Sequence, residues 1–200
     1  MHSTKLTEDK KIIDLQAMKI AKLEAQLAEL HNQNEALKRM AFVDSLTGCY
    51  NRRAFDDALK LEISNGHRNN DSFTIILIDI DHFKKYNDAK GHQAGDELLS
   101  GLGSIWKATI ERTCDRCFRY GGEEFVVILP NTTKDQVSRV VSLIKKGAAM
   151  LGVTVSMGIA DNTESWTGSE LVALADERLY QAKQNGRNQA CSESKMAIAS

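Results

Sequence analysis

Two periodicities divide this chain. Residues 5–41 contain no proline or glycine, and apolar side chains return every seven positions. Leu6, Ile13, Ile20, Leu27 and Ala41 share one core position with Asn34, while Leu23, Leu30 and Leu37 share the other with Asp9 and Gln16. This repeat predicts a coiled coil over 1–41, most regular from Ile20 to Ala41. Asn34 is the kind of polar core residue that fixes a parallel two-stranded register at some cost in stability. A lone amphipathic helix packed on its own domain would carry a similar stripe. The helix is longer than a small domain needs, however, and that favours dimerisation.

Beyond Phe42 the pattern becomes that of a globular domain, expected over 42–191. A helix is expected near Arg52–Ile63, and Phe73–Ile78 is an unbroken apolar run of strand type. A short helix follows Asp81, and a longer one runs from about Ala94 to Ile110. Next comes a hairpin around Arg119-Tyr120-Gly121-Gly122-Glu123-Glu124-Phe125, where a glycine pair between β-type runs signals a tight turn. A helix near Lys134–Met150, a strand Val153–Ala160 and a helix from Ser169 to Gln184 complete the order. Without its first helix this reads β-α-β-β-α-β: an α/β (α+β), ferredoxin-like core whose mostly antiparallel sheet carries helices on one face. Residues 192–200 read as a frayed tail.

Composition narrows the function classes. A net charge of −1 gives no electrostatic footprint for nucleic acid or an anionic membrane. No apolar run is long enough to span a bilayer, and the N-terminus has no signal-peptide core, so a cytoplasmic location is expected. Four cysteines do not make a disulfide framework. Cys114 and Cys117 form a C-x-x-C without the second pair that a zinc site needs, and the motif reads as chance. Trp106 and Trp166 read as core or cover, and His31, His67 and His92 share no ligand spacing.

The candidate chemistry lies where strands end. Two carboxylates, Glu123 and Glu124, follow the glycine pair. From the spacing alone they fit a solvated hairpin tip or a cation site equally well. The buried strand ends in Asp79-Ile80-Asp81, and an acid at that point is expensive unless it is solvated or holds a cation. With the first strand and the hairpin at the centre of the sheet, Asp79 faces Glu123 and Glu124 across one edge. Such a set of oxygen ligands suits Mg²⁺. His82-Phe83-Lys84 then opens a helix whose free N–H groups favour an anion, and Lys84 and Lys85 add positive charge there. Carboxylates, a cation and a helix N-terminus together describe a nucleoside-triphosphate site.

These residues also carry a resemblance. Gly121-Gly122-Glu123-Glu124-Phe125 resembles the signature of the GGDEF-type diguanylate cyclases in a GGEEF form. The likeness runs from about Asp44 to Asn188. Asp44-Ser45-Leu46-Thr47-Gly48-Cys49-Tyr50-Asn51-Arg52-Arg53 is similar to the family's opening block, and Asp79 through Asp88 to its D-x-D-x-F-K-x-x-N-D block. Gly91-His92, Gly95-Asp96, Ser156-Met157-Gly158 and Lys183 with Gly186-Arg187-Asn188 complete it. The ordered spacing of these blocks makes coincidence negligible.

The resemblance implies condensation of two GTP molecules into cyclic di-GMP with release of two pyrophosphates. It implies that Asp79, Glu123 and the Ile80 carbonyl bind Mg²⁺ (or Mn²⁺ in its place), with Glu124 as a further contact. Glu123 is implied as activator of the attacking 3′-hydroxyl, although a metal-bound carboxylate makes a poor base. Lys84, Lys183 and Arg187 correspond to phosphate contacts, with backbone N–H groups from His82 and Phe83, and Gly121 and Gly122 line the substrate. Asn87 and Asp96 correspond to guanine readers; the alternative for Asp96 is an acid in the first turn of a helix. Arg112 and Asp115, in an R-x-x-D at family spacing from Gly121, correspond to a product-inhibition site for cyclic di-GMP, with Arg139 as a second arginine. A surface ion pair would look the same.

In the family each domain binds one GTP and two domains face each other, so one chain holds half a site and works as a homodimer. The helix ends three residues before Asp44, and its phase is expected to set how the half-sites meet. With the helix at the very start, the upstream sensor is expected to belong to a larger signalling protein. A catalytically silent nucleotide receptor and a purely structural dimerisation module are the competing classes. The intact acids argue against the first, and the ordered polar blocks argue against the second.

Overall fold

The computed structural model describes residues 2–110, 115–165 and 167–193; Arg112, Cys114, Trp166 and the end of the tail fall outside these. It divides into two compact units, 1–41 and 42–200. The first is one helix, α1 (His2–Phe42). Its heptad residues Ile20, Leu23, Leu27, Leu30 and Leu37 are each 50–66% exposed. A stripe of that kind on a single chain lacks the apolar cover a helix normally obtains. Among the described residues no helix is long and apolar enough to cross a membrane.

The second unit is a sheet between helices. Its elements are α2 (Arg52–Asn69), β1 (Phe73–Ile80), α3 (Phe83–Lys90), α4 (His92–Ile110), β2 (Arg116–Gly121) and β3 (Glu124–Pro130). A 3-10 turn (Lys134–Gln136), α5 (Ser138–Met150), β4 (Val155–Asp161), α6 (Gly168–Gln184) and β5 (Ala190–Cys191) follow. The strand order is β2-β3-β1-β4-β5. All neighbours are antiparallel except β4 and β5. The ferredoxin-like core is therefore present, with β1 and β3 at its centre.

One expectation needs correction: helices cover both faces, not one. Every residue of β1 is buried, because the strand is apolar at successive rather than alternate positions. Ile76, Ile78 and Ile80 pack with Leu99 and Leu102 of α4 and Ile144 of α5. Phe73, Ile75 and Leu77 pack with Phe55 of α2 and Leu171 and Leu179 of α6. The second layer comes from the two helices that flank the β-α-β-β-α-β unit in sequence, so counting that unit alone misses it. Trp106 is core, with its indole N–H donating to the Ile144 carbonyl at 3.1 Å.

Parity along β1 has a consequence for the site. Residues 73, 75 and 77 face α2 and α6, so Asp79 falls on the same face. On β3, Val126 and Ile128 face that side, which brings Glu124 with them. On β4, Gly158 and Ala160 do the same. A Cβ on Gly158 would land on the Ala175 carbonyl and the Leu179 amide of α6. Glycine there lets the helix settle against the strand, and it brings the end of α6 to the acidic edge.

Candidate functional site

Asp79 on β1 pairs directly with Glu124 on β3 and with Ser156 on β4. The hairpin turn is shifted one residue from the glycine pair. Gly121 ends β2, Gly122 and Glu123 form the turn, and Glu124 begins β3. Only Gly122 has a positive φ, +51°, the sign pattern of a II′ turn, so one glycine rather than two meets the conformational demand. The shift separates the two acids. Glu124 is held in the ladder opposite Asp79, and Glu123 sits in the turn.

The turn is braced by Arg119. Its Nε and one terminal N–H donate to the Gly122 carbonyl, both at 3.0 Å, and the other terminal nitrogen pairs with the Asp44 carboxylate at 3.1 Å. Burial alone would raise the Asp44 carboxyl, but hydrogen bonds from Thr47 and the Arg119 charge hold it below its usual range. Sequence reasoning gave Arg119 no role, although it sits inside the signature stretch. Its partner is distant in the chain, and the two segments meet through the parallel bridge between Tyr50 and Phe118 and the Arg52–Tyr120 contact beside it.

Burial pushes the Asp79 carboxyl up; Lys183 opposes this, while Glu123 and Asp81 reinforce it. Glu124 is pushed up for the same reason, first by burial and then by the Asp79 charge. Lys183, in the last turn of α6, places its ammonium 2.8 Å from Asp79 Oδ2. The edge is thus a like-charge cluster with one lysine among several acids, which is the condition for attracting a cation. As they stand, among the described residues no three acidic, histidine or cysteine side chains are gathered closely enough to hold an ion. The donor set has the hard oxygens and net negative charge that Mg²⁺ prefers. Ile80 is the last residue of β1, with its side chain buried.

Asp81, the second acid of the same block, has a different task. It is buried, and it accepts from Ser156 Oγ and Thr154 Oγ1 at 2.7 Å and from the Asn188 amide at 3.0 Å. It therefore ties β1 to β4 and to the loop after α6. That loop carries Arg187, whose φ is +64°, and Gly186, whose φ is +105°.

The anion side starts at His82, which caps α3 in a left-handed conformation at φ 59°. Backbone strain of this kind in a residue other than glycine marks an over-determined position. Phe83 is buried in the core and Lys84 is exposed in the first turn of α3. Asn87 lies one turn on. Its Oδ1 is buried without a hydrogen-bond partner and packs against Gly95 of α4, where a Cβ would collide with it. Gly95 thus makes room for Asn87 and sets Asp96 beside it. Asp96 is exposed, and α4 begins at His92, two residues before the expected start, so no acid lies in its first turn. That removes the helix-terminus alternative for Asp96.

The expected inhibition residues are placed only in part. Arg112 lies outside the described residues, Asp115 is 6% exposed just before β2, and Arg139 is exposed on α5. Of the C-x-x-C, Cys114 is likewise outside, and the Cys117 sulfur accepts from the Cys49 thiol at 3.8 Å.

Comparison with known proteins bears on this geometry. A family model described as "Diguanylate cyclase, GGDEF domain" matches residues 41–189. The diguanylate cyclase DgcS of Shewanella oneidensis is 37% identical over 161 residues, which cover 78% of this chain and 54% of that protein. The response regulator PleD of Caulobacter vibrioides is 38% identical over 171 residues, 80% of this chain and 37% of that protein. The crystal structure of the coiled coil and GGDEF domain of DgcB from Caulobacter crescentus, in complex with c-di-GMP, superposes with a TM-score of 0.78 at 29% identity. It covers 88% of this chain and 97% of that one. The chain spans about half or less of the length of these curated relatives.

Proposed function

The chain belongs to the GGDEF diguanylate cyclase family, and from that premise we propose that it condenses two GTP molecules into cyclic di-GMP, releasing two pyrophosphates. One observation carries the reading: Asp79 and Glu124 stand opposite each other at the sheet edge with their carboxyls pushed up, opposed by Lys183. An acidic edge held at that expense is explained by a cationic ligand, which a passive dimerisation module does not need. A silent nucleotide receptor could dispense with it.

Asp79, Glu123 and Glu124, with the Ile80 carbonyl, would hold Mg²⁺ or Mn²⁺. Such a cation, when bound, neutralises charge developing at the α-phosphoryl group and lowers the pKa of the attacking hydroxyl. The other residues bind and orient. Lys84, Lys183 and Arg187 take phosphate oxygens, and the first N–H groups of α3, from His82 and Phe83, face the same anion. Gly121 and Gly122 leave the backbone open to close approach. Asn87 offers an unpartnered acceptor, and the Asp96 carboxylate accepts from guanine N1–H and the N2 amine together. Adenine presents an acceptor at N1, so Asp96 would reject it strongly. The family likeness would give Glu123 the hydroxyl proton as well, a role that its use as a metal ligand weakens.

One chain supplies one GTP site, so closing the ring takes two. The exposed heptad stripe of α1 supports a homodimer through a coiled coil, whose register an upstream sensor would set. Arg112, Asp115 and Arg139 would bind cyclic di-GMP as an inhibitor. Incubation with GTP and Mg²⁺ tests the reading: cyclic di-GMP and pyrophosphate are expected. Glu123→Gln should abolish both while leaving the circular dichroism spectrum unchanged. A dimeric sample that yields no product would sink it.

A further inference from the structure

We infer that Lys183 is an internal stand-in for the cation: without nucleotide its ammonium occupies Asp79, and the arriving triphosphate draws it away. Metal and triphosphate would then enter as a coupled pair. This rests on the cyclase reading and adds to it an order of exchange between Lys183, Asp79 and the phosphates.

The geometry is specific. Lys183 Nζ lies 2.8 Å from Asp79 Oδ2, with the Asp79 side chain 12% exposed and that of Lys183 31% exposed. The ammonium is therefore seated on the carboxylate that the cation would need, yet it keeps a path to solvent. A lysine stem has four rotatable carbons, so its head can swing from carboxylate to phosphate while the backbone stays in place.

The backbone is well anchored. Gly158 lets β4 touch α6, the Arg187 amide donates to the Ala182 carbonyl at 3.0 Å, and Asp81 holds Asn188. The ammonium takes one of the two Asp79 oxygens and repels an arriving divalent ion. Its departure therefore favours metal entry, and a triphosphate gives it somewhere to go. Reciprocity then requires each ligand to tighten the other.

The exchange makes a prediction of unusual sign. Removing the ammonium should weaken triphosphate binding but strengthen metal binding to the nucleotide-free protein. A residue that only contacted phosphate would leave nucleotide-free metal affinity unchanged, and a purely structural one would lower both.

The test is a titration of Mn²⁺ into the 200-residue chain, read by loss of the free-ion electron paramagnetic resonance signal. Wild type and Lys183→Met are compared with and without a non-reactive GTP analogue. Without nucleotide, the variant should bind Mn²⁺ roughly fivefold or more tightly than wild type. The analogue should then improve Mn²⁺ affinity by a smaller factor than it does in wild type. Equal or weaker nucleotide-free binding in a folded variant overturns the inference. Lys183→Gln serves the same comparison should the methionine variant not fold. Product formation by wild type is measured separately. Absent cyclic di-GMP with tightened Mn²⁺ binding defeats the cyclase reading alone, and product without tightening defeats this inference alone.

Discussion

Helix α6 carries two cations five residues apart, and each meets an acid at an opposite end of the sheet. Arg178 forms a bidentate pair with Glu164, both contacts at 2.7 Å, and also donates to the Ile159 carbonyl. Lys134 adds a third contact to Glu164, again at 2.7 Å. Burial would raise Glu164, but these hydrogen bonds overcome it and hold the carboxyl at about 2. At the other end Lys183 meets Asp79, with Glu123 and Glu124 close by, and both Asp79 and Glu124 are pushed up. The fold completes the electrostatics at one end and leaves an excess of negative charge at the other. An acid held low by its neighbours maintains the structure; acids held high in a group await a ligand.

The comparison predicts that the ends fail differently. Arg178→Met leaves Glu164 with Lys134 as its remaining cation in a half-buried place, and loss of one partner of such a pair costs about 3–5 kcal/mol. The loss is read from urea unfolding. A change below about 1 kcal/mol would show that the Glu164 end is no better closed than a surface pair. The Nε of Arg178 is buried without a partner, so even this end is not perfectly satisfied.

Asp79→Asn should do the reverse. It removes a charge that its neighbours oppose, so stability should stay level or rise, while cyclic di-GMP formation should fall by at least about a hundredfold. Thermal unfolding and product assays on the same sample separate the two effects. A large loss of stability would mean that Asp79 is structural after all, and the contrast between the ends would collapse.

The sequence reveals the Asp79 end far better than the Glu164 end, for a physical reason. Acids after an apolar strand, a glycine turn and a helix start are local features, and Asp79, Glu123, Lys84 and Asn87 lie in short blocks. Glu164 and Arg178 show no such local sign. They meet because β4 and α6 pack back to back around Gly158. Long-range pairing also hid Asp81, whose partners Thr154, Ser156 and Asn188 lie on later elements, and Arg119, whose partner is Asp44. One helix end differs from expectation because its stop is a left-handed asparagine rather than a break in the apolar pattern. Expected to stop at Ile63, α2 runs to Asn69 and closes with Asn70 at φ 60°, its amide donating to the Gly66 carbonyl. The helices on both faces follow from the uninterrupted apolar run of β1, which was legible in itself but was counted within a two-layer template.

The smallest effect is the pH dependence of stability, and here the two ends should slope in opposite directions. Glu164 takes its proton near 4.5 when unfolded and near 2 when folded. Above 4.5 its contribution is fully present. As pH falls through that window the unfolded chain binds the proton first, and the contribution drains away, by about 2 kcal/mol after allowance for partial exposure. Asp79 and Glu124 are raised when folded, so the unfolded chain releases their protons first. Stability attributable to them therefore falls as pH rises from the ordinary carboxylate range through their raised values. Glu164→Gln should flatten the acid limb of a stability–pH curve, and Asp79→Asn should flatten the decline just above it. Curves from urea unfolding at closely spaced pH values distinguish the two. Should both substitutions flatten the same limb, Asp79 would be a closed, structural acid like Glu164, and the acidic edge would lose its claim to a cation.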